Sequence, residues 1–288
     1  MHRIARIAIA ALASVGMLAS VAACGSGQST SEKNGTIEVA ASVNQWGTVA
    51  KALGGDNVNV TSIINSTNVD AHDYEPTTSD IAKLQKAQVI IVNGAGYDAW
   101  AVKAAQTANA IIVNAAEIGG VNDGENPHVW FSADVRKAVA QAITEAYEQA
   151  DAAKKNDFDK MNDQWTAEEN NVESKIAEVK QKTDGLAYAA TESVASYLAE
   201  DMGLADATPS GYARATANES EPTPTDIKQF TDALKAGEIK LLVVNTQEES
   251  ELTGKITDAA KSVEVPMVEL TEQMPGRSRS RRKPKNPL

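Results

Sequence analysis

The segment KKNDFDKMNDQWTAEENNVESKIAEVKQKT, residues 154–183, decides the fold class of this chain. It contains neither glycine nor proline, the two residues that most often interrupt a helix. Apolar side chains recur along it at helical spacing, at Trp165, Val172, Ile176 and Val179. We therefore predict one long helix over residues 154–183, with an apolar stripe along one face.

On both sides of that helix, short apolar runs alternate with helical patterns. The predicted strands are 36–41, 58–64, 88–93, 111–114, 186–191, 240–245 and 265–270. The predicted helices are 45–53, 79–86, 97–108, 133–150, 194–202, 225–236 and 250–262. Such alternation predicts parallel sheets with helices on both faces. Because the long helix divides the pattern into halves, we favour two α/β lobes, and periodicity alone leaves open one large domain with an internal helix.

The charge of the chain is unevenly distributed. All 288 residues together carry a net charge of −12, whereas residues 24–276 carry 19 basic and 39 acidic side chains, a net charge of −20. A surface this acidic repels the phosphate backbone of nucleic acids, so we predict no nucleic-acid binding by the body of the protein. It suits a cationic ligand.

The first residues predict secretion and attachment to a membrane. Residues 1–23 combine Arg3 and Arg6 with an apolar run that is too short and too rich in alanine for a membrane span, which is typical of a signal peptide. Cys24 is the only cysteine, and its small neighbours resemble the lipobox of bacterial lipoproteins, in which this residue is acylated. A chance cysteine is the alternative. Residues 24–35 then form a flexible tether.

Histidine is rare enough to be informative. Without residues 1–23 the chain has two histidines, His72 and His128, and each follows a predicted strand in a polar loop. Ligands of parallel α/β sheets gather at such loops. A single histidine in this setting is more often structural, whereas two in matched positions leave a metal site and a structural role equally open. With no other cysteine than Cys24, only carboxylates can complete its ligand shell.

Five motifs in order resemble the solute-binding lipoproteins of manganese/zinc-type ABC metal importers, the metal-binding cluster A-I family. They are HDYEPT (72–77), VNGAGYDAW (92–100), NPHVWF (126–131), EPTPTDI (221–227) and VNTQ (244–247). The resemblance covers about residues 36–275. It implies an N-terminal lobe (36–153), the linking helix (154–183) and a C-terminal lobe (184–275), with the metal in the cleft between the lobes.

The resemblance also implies four metal ligands. His72 matches the histidine of the family's His-x-Tyr-x-Pro motif, and His128 matches that of Pro-His-x-Trp. Glu192 stands where manganese-type relatives have glutamate and zinc-importing relatives have histidine. Glu272 matches the acidic fourth position, although the sequence after it departs from the family, and Glu269 is the local alternative.

The implied function is capture of a divalent transition metal on the outer face of the bacterial membrane. The cargo would be Mn²⁺ or Zn²⁺, with Mn²⁺ favoured because a bidentate glutamate would raise the coordination number above four. The implied partners are an ABC permease and its ATPase, and the protein would act as a monomer. We predict no enzymatic activity. The alternatives are a zinc-dependent hydrolase, although no His-Glu-x-x-His motif occurs, and a surface adhesin with a structural metal.

The last residues depart from the resemblance. Relatives continue into a final amphipathic helix on the second lobe, whereas residues 276–288 are basic and have no apolar periodicity. We expect a disordered basic tail there. Without that final helix, the C-terminal lobe is predicted to be the less stable of the two.

Overall fold

In the computed structural model, which describes residues 35–275, two four-stranded parallel sheets are connected by one long helix. The first sheet has the strand order β2-β1-β3-β4. Its strands are β1 (Ile37–Val43), β2 (Val58–Ile64), β3 (Val89–Val92) and β4 (Ile111–Asn114). The helices of this lobe are α1 (Asn44–Gly54), α2 (Thr78–Lys86), α3 (Ala99–Ala105), α4 (Ala115–Ile118) and α5 (Ala133–Ala150).

The second sheet repeats this plan after the long helix α6 (Lys155–Thr183), with the order β6-β5-β7-β8. Its strands are β5 (Ala187–Ala190), β6 (Ala205–Asp206), β7 (Leu241–Asn245) and β8 (Met267–Leu270). Its helices are α7 (Ser196–Asp201), α8 (Ser210–Ala217), α9 (Pro224–Lys235) and α10 (Glu251–Ser262). The prediction of two parallel α/β lobes joined by a long helix is therefore confirmed.

Alternation along the strands explains why helices cover both faces of the first sheet. Val39 and Ala41 of β1 point into a core shared with α1 and α5. Ala40, between them, points into a second core shared with α2 and α3. Because both faces are buried, the strand sequence is a nearly continuous apolar run instead of an alternating one.

The apolar stripe predicted along α6 is only half right. Phe158 is buried and Trp165 is half-buried against the core of the first lobe. Val172 and Val179, in contrast, are 45% and 38% exposed. The ion pair of Lys137 on α5 with Glu173 on α6 marks how far the antiparallel pairing of the two helices is held by charge, and Val179 lies beyond it. Periodicity predicted the helix, and it does not predict which part of the stripe is covered.

Three short elements, one in the first lobe and two in the second, were not predicted. Strand β6 has two residues, and the helices α4 and α8 have four and eight. Segments this short carry too little periodicity to be separated from loops. The bounds assigned to the lobes, 36–153 and 184–275, stay a prediction.

Three further predictions concern parts of the chain outside the described residues. These are the signal peptide (1–23), Cys24 with nearly all of the tether, and the basic tail (276–288). Among residues 35–275, no helix is both long and apolar enough to cross a membrane.

Candidate metal centre

The carboxyl-terminal edges of both sheets supply side chains to one cleft. His72 lies in the loop between β2 and α2, and His128 lies in the loop that follows α4. Glu192 comes two residues after β5, and Glu272 two residues after β8. In parallel sheets this edge gathers the connecting loops, and it is where ligands of such folds bind. Each lobe therefore contributes two of the four predicted ligands.

The four side chains converge on one point. Each offers one nitrogen or oxygen atom, and these atoms all lie within 4.8 Å of one another. The Nε2 atom of His128 lies 3.6 Å from Glu192 Oε1 and 3.8 Å from Glu272 Oε2. The Nε2 atom of His72 lies 3.8 Å from both of these oxygens. These separations exceed hydrogen-bond length. They are close to the roughly 3.3–3.6 Å between donor atoms of a tetrahedral dication site with bonds of about 2.0–2.2 Å. Glu269 is exposed on β8 and does not belong to the group.

Hydrogen bonds fix which nitrogen of each imidazole faces the cluster. His72 Nδ1 lies 3.0 Å from Glu219 Oε1, and His128 Nδ1 lies 2.7 Å from Asn126 Oδ1. Both partners are acceptors, so Nδ1 carries the hydrogen in each ring and Nε2 keeps a lone pair. Both Nε2 atoms are buried without a hydrogen-bond partner among residues 35–275. Two unshared lone pairs thus face two carboxylate oxygens.

Three polar side chains hold the carboxylates. Asn245 Nδ2 donates to Glu192 Oε2 at 2.6 Å and to Glu272 Oε1 at 2.8 Å. Tyr97 donates from its hydroxyl to Glu272 Oε2 at 2.6 Å and accepts from Gln273 Nε2 at 3.0 Å. Because Asn245 occupies Oε2 of Glu192, this glutamate presents one oxygen to the cluster. That arrangement differs from the bidentate glutamate expected from the sequence.

Sequence reasoning misses Tyr97 and Asn245 as site residues. Asn245 is the last residue of β7, and Tyr97 follows β3 after a short turn. Asn245 therefore lies at the carboxyl end of a strand and Tyr97 just beyond one, and this position is the signal that selects the two histidines. Both also lie within motifs that resemble the family, at 92–100 and 244–247.

Mutual interaction shifts the pKa values of these groups in different directions. Burial and the charge of Glu272 raise the pKa of Glu192 to about 7. Burial acts likewise on Glu272, but the hydrogen bond from Tyr97 and the nearby His72 outweigh that effect and hold its pKa below the ordinary value. Burial would lower the pKa of His72, yet the carboxylates around it raise it overall. Burial lowers the pKa of His128, which therefore stays neutral.

His72, His128 and Glu192 line a cavity of about 600 Å³ with an acidic wall. The carboxylate side chains that line this cleft, besides that of Glu192, are those of Asp70, Asp73, Glu125, Glu219, Glu221, Glu248 and Glu249. Of the described residues that line it, none is lysine or arginine. A cleft lined by one sign of charge concentrates ions of the opposite sign. Its electrostatics favour a cation.

Comparison with known proteins finds relatives among metal-uptake components. A family model described as ZnuA, the periplasmic component A of a zinc-uptake complex, matches residues 39–280. A crystal structure of ZnuA superposes with a TM-score of 0.70 at 18% identity, covering 83% of this chain and 92% of that one. At that identity, the structural likeness shows the fold alone.

Two curated relatives carry the names of different metals. The manganese ABC transporter substrate-binding lipoprotein PsaA of Streptococcus pneumoniae is 24% identical over 253 residues, covering 81% of this chain and 79% of that protein. The iron ABC transporter substrate-binding lipoprotein MtsA of Streptococcus pyogenes serotype M1 is 26% identical over 236 residues, covering 74% of this chain and 73% of that protein. Their names agree on the kind of transport and differ in the ion.

Proposed function

This chain belongs to the ZnuA family of metal-uptake components, and on that premise we propose that it captures a divalent transition metal and delivers it to an ABC permease. His72, His128, Glu192 and Glu272 are the proposed ligands. The cation is the cargo of the protein, so the site has to bind it in one state and release it in another.

One observation carries the proposal: two buried imidazole lone pairs face two carboxylate oxygens, and no residue between 35 and 275 donates a hydrogen bond to either lone pair. Buried polar atoms that lack a partner destabilise a fold. A dication bound by all four atoms removes that penalty, because it accepts both lone pairs and its charge balances the two carboxylates. The shell as a whole is then neutral.

The ligand set favours Mn²⁺ as the physiological cargo, with Zn²⁺ as the close second. Two carboxylate oxygens suit Mn²⁺ better than a shell of three histidines does. The four single-oxygen or single-nitrogen donors also suit tetrahedral Zn²⁺, and Zn²⁺ exceeds Mn²⁺ in intrinsic affinity at most sites of this kind. We therefore expect both ions to bind, Zn²⁺ more tightly, and metal supply to decide the cargo.

The partners follow from the family's role. The relatives are substrate-binding lipoproteins of ABC transporters, so we propose a permease with its ATPase as the receiving complex. We further propose attachment to the outer face of the membrane through acylated Cys24, and a monomeric state. Replacing Cys24 by serine should move the protein from the membrane fraction to the medium.

The other functions considered find no support at this site. A hydrolytic zinc site keeps one position open for water and needs a general base beside it. Here four protein donors surround one point, and the carboxylates are engaged by Asn245 and Tyr97. An adhesin would need a contact surface, and none of the observations above indicates one.

Competitive metal titration of the chain without residues 1–23 tests the proposal. We expect measurable Mn²⁺ binding that Zn²⁺ displaces, and loss of both in the double variant His72→Ala, His128→Ala. Glu249→Gln, which removes a charge from the same cleft but no proposed ligand, should leave the Kd nearly unchanged. Tight Zn²⁺ binding without detectable Mn²⁺ binding would reverse the choice of cargo. Binding that survives the double variant would refute the site.

A further inference from the structure

The imidazole of His72 is oriented by a side chain from the opposite lobe. Its Nδ1 atom lies 3.0 Å from Oε1 of Glu219, in the loop between α8 and α9 of the second lobe. This contact holds the proton on Nδ1 and directs the Nε2 lone pair toward the cluster. The orientation of a first-lobe donor therefore depends on the position of the second lobe.

The imidazole of His128 reaches the second lobe indirectly. Its partner Asn126 belongs to the same loop, and the amide of Asn126 donates to the Ser193 carbonyl at 2.9 Å and to Ser196 Oγ at 2.6 Å. These bonds fix the amide so that Oδ1 faces the imidazole. The two histidines thus share a dependence on the second lobe, and only His72 depends on it through a single exposed side chain.

The loop around Glu219 holds this residue in an uncommon backbone conformation. Its φ angle is +51°, in the left-handed region that disfavours residues other than glycine. The backbone N–H of Glu219 donates to the Thr216 carbonyl at 3.0 Å, and that of Ser220 donates to the Ala215 carbonyl at 2.9 Å. The turn at the end of α8 is thereby fixed, and it extends the carboxylate of Glu219 across the cleft to His72.

We propose that Glu219 is a positioning residue that couples closure of the two lobes to the readiness of His72 for metal. The inference rests on the proposed function and concerns the regulation of the same site. When the lobes are together, the carboxylate holds Nδ1–H and raises the basicity of the opposite nitrogen. When they separate, His72 loses this acceptor, its ring rotates and changes tautomer freely, and the cation loses an oriented donor. Opening and release are then one event.

Three variants separate position from charge. Glu219→Ala removes both the acceptor and the charge, and we expect the Kd for Mn²⁺ and Zn²⁺ to rise by about 10- to 100-fold. Glu219→Gln keeps an oxygen that accepts from Nδ1–H, so its loss should be clearly smaller. Glu221→Gln is the matched control. It removes one charge from the same exposed loop and cleft, and Glu221 makes no side-chain hydrogen bond within the described part of the chain. Its Kd should rise far less than that of Glu219→Ala.

A second readout follows the imidazole itself. In nitrogen-15 NMR spectra of the metal-free and Zn²⁺-loaded protein, we expect a protonated Nδ1 in His72 of the wild type and a mixture of tautomers in metal-free Glu219→Ala. A residue that only supports the fold would change the thermal midpoint without changing this signal. The proposal fails if Glu219→Ala keeps both the wild-type Kd and the wild-type tautomer, or if Glu221→Gln weakens binding equally. A wild type that binds no metal would refute the proposed function instead, and the metal-free spectra would still decide the role of Glu219.

Discussion

At the scale of single residues, the carboxylates depend on donors that hold them in place. Tyr97 donates to Glu272 Oε2 at 2.6 Å from the opposite lobe. We predict that Tyr97→Phe weakens metal binding by about tenfold, within the range typical of groups that orient a ligand. Tyr188→Phe is the control, because this side chain is also buried but its hydroxyl makes no hydrogen bond among residues 35–275. Calorimetric titration measures both, and equal affinities in the two variants would contradict the role of Tyr97.

Protons should compete with the metal for the same atoms. The pKa of Glu192 is raised to about 7, and that of His72 is raised above its ordinary value. Glu192 binds a proton as the pH falls through 7, and His72 binds one at a higher pH than an ordinary imidazole does, whereas the cation needs both groups deprotonated. Lowering the pH from 8 to 6 should therefore weaken binding by about tenfold through Glu192 alone. Titrations in two buffers of different ionisation enthalpy count the protons released, and an affinity independent of pH would contradict these shifts.

The sequence points to the four proposed ligands more directly than to the side chains that hold them. His72 and His128 are rare residues in motif positions, and Glu192 and Glu272 follow strands in a family pattern. Glu219 and Asn126 act through contacts between lobes, with 147 residues separating Glu219 from His72. No local pattern records such a pairing, because it depends on how two independently patterned sheets meet.

At the scale of elements, an ion pair connects the long helix α6 to the segment that follows His128. Arg136 of α5 donates to Glu169 of α6 and to the Trp130 carbonyl, two residues beyond His128. We predict that Glu169→Gln lowers the free energy of unfolding by about 3 kcal/mol, because it leaves a largely buried guanidinium without its counter-charge. Glu168→Gln is the control, because Glu168 is the exposed neighbour of Glu169. This variant should change the free energy of unfolding little. Urea denaturation compares them, and similar losses would show that the pair contributes nothing specific.

Helix and strand positions were predictable because most elements are long and end on clear signals. Thr77 and Thr223, for example, each form a capping box at the start of a helix. Burial was less predictable. The exposed Val172 and Val179 of α6 follow the same periodicity as the half-buried Trp165, and only tertiary contacts decide which of them are covered. Tertiary contacts also decide the exposure of β8. This strand lies at the edge of its sheet, and its Val268 is 50% exposed.

For the whole molecule, the two lobes differ in how much apolar surface they bury. The cores on the two faces of the first sheet contain 34 buried apolar residues, and those of the second contain 16. Burial of apolar side chains is the main source of stability. The second lobe should therefore open more readily, and its opening removes Glu192 and Glu272 from the site. Metal binding and the stability of this lobe are then linked.

Hydrogen exchange tests that linkage. In the metal-free protein we predict faster amide exchange in β5 and β7 than in β1 and β3, because exchange reports the free energy of local opening. Metal at about 100 times its Kd should stabilise the closed second lobe by about 2.7 kcal/mol, which slows exchange there about 100-fold. The double variant His72→Ala, His128→Ala should still exchange faster in β5 and β7 than in β1 and β3, but added metal should not slow its exchange. Equal protection of both lobes without metal would contradict the uneven stability, and a metal effect absent from β5 and β7 would show that opening of the second lobe does not release the ion.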